Sequence, residues 1–125
     1  SADALFKSDR SGVSDMLPGG QRELDALAAR LRASDVTVKR LTITGHTDRL
    51  GDGAYNDRLS LQRANTVRAY LQGAGVHVPM QVRGAGEREP VSGSACAGDQ
   101  RTASLIACLQ PDRRVVVEIV GSAVK

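Results

Sequence analysis

A chain of 125 residues, 41% hydrophobic and 25% charged, has the size and composition of one globular domain. Its aromatic set is Phe6, Tyr55 and Tyr70 alone, so stacking of bases on aromatic platforms has no material to work with. A net charge of +3, with arginines scattered among acids, excludes a nucleic-acid stripe, and no run is long enough to span a bilayer.

In chain order, Ala4-Leu5-Phe6 reads as a short strand. Residues Leu17 to Arg32 read as an amphipathic helix, with Pro18 in its first turn and Leu24, Leu27 and Leu31 on one face. Leu41-Thr42-Ile43-Thr44 alternates as a strand that ends at Gly45, and the glycine-rich stretch to Gly53 is a loop. A second helix follows to about Leu71, with Ala64, Val67, Leu71 and Ala74 as its apolar stripe and Gly73 and Gly75 as its stop. Met80 to Arg83 reads as a third strand. The small polar segment Pro90–Asp99 reads as the most mobile loop. A short helix from about Arg101 to Leu109 and a strand from Val115 to Val120 complete the order β-α-β-α-β-α-β, an α/β or α+β sandwich.

Several motifs carry no chemistry. Gly84-Ala85-Gly86 begins like a dinucleotide fingerprint, but Glu89 stands where the third glycine belongs. His46 and Asp48 offer two metal donors from one loop, whereas a stable site needs three or four, and His77 lies beyond the second helix. No serine-histidine-carboxylate set has a recognisable spacing, so a catalytic reading has little support. Cys96 and Cys108, twelve apart, are either two unrelated thiols or one disulfide, and composition leaves both open.

The remaining constellation is Gly45-His46-Thr47-Asp48-Arg49-Leu50-Gly51, followed by Asn56 and Arg63. Asn56 and Arg63 are seven apart and share a helical face. Asp48 at a strand end and Arg63 on the helix can form a plain ion pair, or a divided site for a zwitterion. In the second case Asp48 takes an ammonium, and the planar fork of Arg63 takes a carboxylate.

These residues, with Leu59-Ser60, Ala64, Val67, Tyr70-Leu71, Gly75, Gly84-Ala85-Gly86-Glu87 and Arg113-Arg114-Val115, resemble the signature of the OmpA C-terminal (OmpA/MotB-like) peptidoglycan-binding family. The resemblance covers nearly the whole chain. Within the family it is closest to the periplasmic domain of OmpA porins, which share Thr-Asp-Arg in the loop and Cys-Leu-x-Pro-Asp-Arg-Arg, here Cys108 to Arg114. It implies a four-stranded sheet with helices on one face, spanning residues 1–125 as one periplasmic domain, with any membrane anchor outside the chain. It also implies a non-enzymatic function without cofactor or metal: non-covalent binding of peptidoglycan through meso-diaminopimelate, tethering the outer membrane to the cell wall.

By the same resemblance, Asp48 holds the ligand's amino group and Arg63 its carboxylate. Thr47, Leu50 and Gly51 supply loop contacts, and Asn56 and Arg114 supply secondary polar ones. The oxidising periplasm then implies a Cys96–Cys108 disulfide that pins the Pro90–Asp99 segment. Its distance in sequence from Asp48 and Arg63 predicts ligand binding indifferent to reduction, and Asp48→Ala and Arg63→Ala are each expected to abolish wall binding with the fold intact. The chain departs from the family at Asp112, commonly asparagine, and at Ser8, commonly aromatic, which predicts a thinner core near Phe6. The rival reading is an envelope protein-protein module with a basic docking surface and no wall ligand.

Overall fold

The computed structural model describes residues 2–7, 10–33 and 36–123. It is an α+β fold of β1 (Ala2–Leu5), α1 (Pro18–Ala33), β2 (Val36–Gly45), α2 (Gly53–Gly73), β3 (Met80–Gly84), α3 (Ala103–Cys108) and β4 (Arg114–Ala123). The strands form one mixed sheet in the order β1-β4-β2-β3. β4 runs antiparallel to both β1 and β2, while β2 and β3 are parallel and joined through α2. Both long strands exceed their sequence-based limits because β2 and β4 pair from Val36 opposite Ala123 to Gly45 opposite Val115.

The core follows from the two periodicities. Leu24, Leu27 and Ala28 of α1 and Ala64, Val67 and Leu71 of α2 pack on Leu41 and Ile43 of β2 and Val115 and Val117 of β4. Thus α1 and α2 cover one face of the sheet. The third helix departs from that expectation: Leu105 and Leu109 join Leu50 and Cys96 in a separate small cluster beside the loop after β2. Phe6, expected inside the first strand, lies just past it, fully buried and bridged to Met16. Ser8 lies outside the described residues.

The buried stripe of α2 changes character along its length. It is apolar at Ala64, Val67 and Leu71, but its N-terminal half buries Asn56, Ser60 and Arg63 beside Leu59. Buried polar groups need partners, so this half of the helix must meet polar structure at the end of the sheet. Two glycines allow the approach. A Cβ on Gly45 would stand 1.8 Å from the Ser60 carbonyl oxygen, and one on Gly84 would stand 2.8 Å from Ser60 Oγ. Gly45→Ala is therefore expected to push α2 off the sheet and destabilise the fold by about 3 kcal/mol or more. Denaturant unfolding checks this, and an unchanged midpoint would contradict the close contact.

Candidate functional site

The loop after β2 is held from several sides. Thr47 donates its backbone N–H to Gly86 O at 2.9 Å and its hydroxyl to Asp48 O at 2.9 Å. Asp48 Oδ1 accepts the Leu50 N–H at 3.0 Å, which closes the turn. Gly51 follows with φ 93°, a left-handed conformation in which a side chain would be strained. Asn56 donates to Leu50 O at 3.1 Å and Glu87 Oε1 at 3.2 Å, which clamps the loop to α2 and to the turn after β3. Thr47 and Asn56 thus spend their side-chain donors on shaping the loop.

The charged partner of Asp48 is Arg113. Its Nη1 donates to Asp48 Oδ2 at 3.1 Å and to Ile106 O at 2.8 Å, and its Nε donates to Phe6 O at 3.2 Å. Both members of the pair are buried. The plain Asp48–Arg63 ion pair anticipated as one alternative therefore has a different cation on the carboxylate. Arg63 is fully buried, and its three nitrogens donate to main-chain carbonyls: Nε to Arg10 at 2.8 Å, Nη1 to His46 at 2.8 Å, Nη2 to Lys7 at 3.0 Å. Its guanidinium carbon also sits 5.3 Å from the Phe6 ring centroid, within cation–π range. Arg63 and Arg113 both contact Phe6, and Arg113 links it to Asp48; Asp48, Arg63 and Arg113 have exposures of 6%, 0% and 5%.

Arg114 occupies different surroundings. Its Nη2 donates to Glu89 O at 3.1 Å, and it lines a groove of about 600 Å³ with Leu17, Gly19, Gly20, Glu23, Val91 and Pro111. Asp112, the departure from the common asparagine, is buried and structural: its carboxylate accepts the Val91 and Ser92 N–H groups and the Ser92 hydroxyl. That network fixes the start of the Pro90–Asp99 segment, which a Cys96–Cys108 disulfide closes at its other end. Arg49 adds a further tie, donating to the carbonyls of Cys96 and Gly98.

Sequence reasoning passed over Arg113 as a contact residue, yet a signal existed. Glu118 is exposed, so residues 118, 116 and 114 lie on one face of β4 and 117 and 115 on the other, buried one; Arg113, the residue before the strand, continues that alternation and is buried.

His46 is buried, and among the described residues its Nδ1 has no hydrogen-bond partner. Burial, aided by the nearby Arg114 charge, lowers its pKa to about 4. The unfolded chain binds a proton near pH 6.5 that the native state refuses, so His46 contributes full stability above that pH and loses it progressively as the pH falls from there to about 4. The loss is on the order of 3 kcal/mol. Denaturation at pH 7 and pH 4.5 is expected to show a weaker acid dependence in His46→Gln. An equal dependence would contradict the assignment.

Among the described residues no group of three or more His, Cys, Asp or Glu could hold a metal, and no helix is long and apolar enough to cross a membrane.

The OmpA family profile matches residues 5–104. Outer membrane protein A of Shimwellia blattae is 41% identical over 121 residues, covering 96% of this chain and 49% of that protein. Outer membrane protein A of Klebsiella pneumoniae is 39% identical over the same length, 34% of that protein. The chain therefore spans half or less of these relatives. In fold it is similar to the peptidoglycan-associated lipoprotein from Burkholderia pseudomallei, with TM-score 0.67 and 23% identity over 98% of this chain and 91% of that one. It is likewise similar to the OmpA-like domain of FopA1 from Francisella tularensis, with TM-score 0.69 and 19% identity over 98% and 72%. With a profile match over most of its length and relatives near 40% identity, this chain belongs to the OmpA family.

Proposed function

We propose that this domain binds peptidoglycan non-covalently through the meso-diaminopimelate of the stem peptide, on the periplasmic side of the outer membrane, and so tethers that membrane to the wall. Kinship supports the wall as target, since relatives are outer membrane proteins and a protein of the same fold is named a peptidoglycan-associated lipoprotein. The observation that carries the reading is the convergence of Asp48, Arg63 and Arg113, three buried charges at one end of the sheet. Burying ions costs several kcal/mol each, and such concentrations of charge cluster at functional sites.

In this reading Asp48 takes the ligand's ammonium. A carboxylate offers about four acceptor positions, and Leu50 N–H and Arg113 use two of them. Arg63 takes the ligand's carboxylate. The carbonyls of Lys7 and Arg10 that engage its fork give way to the ligand's carboxylate, a charge-assisted acceptor. Thr47, Leu50, Gly51 and Asn56 hold the loop in register, and Arg114 contributes at the rim. The site binds its ligand without transforming it and needs no cofactor. One such contact is weak to moderate, and many copies facing many stems supply the avidity.

The test is retention of the domain on purified sacculi with free meso-diaminopimelate as competitor. Release by millimolar competitor is expected. Retention indifferent to it would favour the rival reading, a docking module for an envelope protein.

A further inference from the structure

The disulfide is distant from Asp48 in sequence, which predicts binding indifferent to reduction, but in space it adjoins the loop that carries Asp48. Three contacts join the segment it closes to the loop that carries Asp48. Leu50 packs in one cluster with Cys96, Leu105 and Leu109. Arg49 Nη2 donates to Cys96 O at 2.6 Å. Arg113 Nη1 bridges the Ile106 carbonyl of α3 and the Asp48 carboxylate, at 2.8 and 3.1 Å.

We propose that the segment closed by the Cys96–Cys108 disulfide positions the carboxylate of Asp48, with Arg113 as the positioning residue that carries the constraint. The inference deepens the proposed site and rests on it for the ligand. A helix of six residues does not hold itself in water. What holds α3 is the Thr102 cap on Leu105 N–H, the packing of Leu105 and Leu109, and the cross-link at Cys108. Without the cross-link the segment regains the freedom that loop closure removed. The Ile106 carbonyl then no longer fixes Arg113, and Leu50 loses a wall of its pocket. Asp48, with an oxygen on each of these groups, loses its orientation. Cys108 is exposed, so a reductant has access.

The experiment compares oxidised protein with protein reduced by dithiothreitol. The two sulfurs gain two electrons and two protons, and the dithiol closes its own disulfide. One readout is amide hydrogen exchange at Leu50, whose N–H rests on Asp48 Oδ1. The other is the affinity for free meso-diaminopimelate. Reduction is expected to speed exchange at Leu50 and to weaken binding, each about tenfold, while core amides such as Leu27 and Ile43 stay protected. Arg113→Met in the oxidised state is expected to reproduce both effects, and reduction then adds less than about twofold. Should that variant fail to fold, the Cys96→Ser/Cys108→Ser pair gives the same comparison with Arg113 intact.

Unchanged Leu50 exchange in reduced, folded protein would overturn the inference. So would an undiminished effect of reduction in Arg113→Met. Oxidised protein that does not bind diaminopimelate at all would instead sink the ligand assignment, and Leu50 exchange would still decide the positioning.

Discussion

Arg63→Ala is expected to lower the unfolding free energy by about 3–5 kcal/mol, the cost of leaving buried acceptors without donors and opening a cavity. The carbonyls of Arg10, His46 and Lys7 each lose their guanidinium donor, in a place where Arg63 itself has no exposure. The aliphatic stem and the contact with the Phe6 ring go as well, which leaves a cavity. For a domain of this size the melting temperature should fall by roughly 10–20 °C. This corrects the expectation that alanine at this position leaves the fold intact: burial makes the residue structural whatever else it does. Arg63→Lys should recover only part of the loss, because an ammonium cannot reach three carbonyls in a planar fan. A melting temperature within a few degrees of wild type in Arg63→Ala would show that the carbonyls find other donors.

Asp48→Asn is the cleaner probe of the ligand, and its effect on binding is expected to be the largest of any conservative change. An asparagine oxygen can still accept the Leu50 N–H, so the turn has its shape, but the negative charge that meets an ammonium is gone. Truncating one side of a buried charge pair typically costs about 2–5 kcal/mol, less where water reaches. Retention on sacculi should therefore fall steeply while the domain stays folded. Some stability is lost too, since Arg113 then lacks its counter-charge at 6% side-chain exposure. Changing the ligand separates the two effects. Amidating the free carboxylate of diaminopimelate should weaken wild type, whereas removing its amino group should weaken wild type and leave residual binding by Asp48→Asn unchanged. An Asp48→Asn domain that holds sacculi like wild type, with competition by diaminopimelate intact, would remove Asp48 from the site.

The element order was legible from local pattern alone. Helical spacing of Leu24 and Leu27 and of Ala64, Val67 and Leu71, with strand alternation at Leu41–Thr44, marks the surfaces that form the core. Part of the candidate site was legible too: a carboxylate at a strand end and the seven-residue spacing of Asn56 and Arg63 are local facts, and all three side chains are buried.

Which cation meets Asp48 was not local. Arg113 stands 65 positions away and reaches the carboxylate only because β4 threads between β1 and β2. Two adjacent arginines, one just before the strand and one opening it, differ in burial, and the run Val115-Val116-Val117 hides which face is which. Only Glu118 carries the phase, and one exposed charge becomes decisive once the pairing register is fixed. The disulfide illustrates the same limit. Cys96 is 47 positions from Arg49, yet its carbonyl accepts from the Arg49 guanidinium and its side chain packs with Leu50. Periods of 2 and 3.6 residues report which face of an element is buried, and they are silent on which distant element covers it. That choice is made by the closing of the sheet, and it brings the disulfide-closed segment against the loop of Asp48.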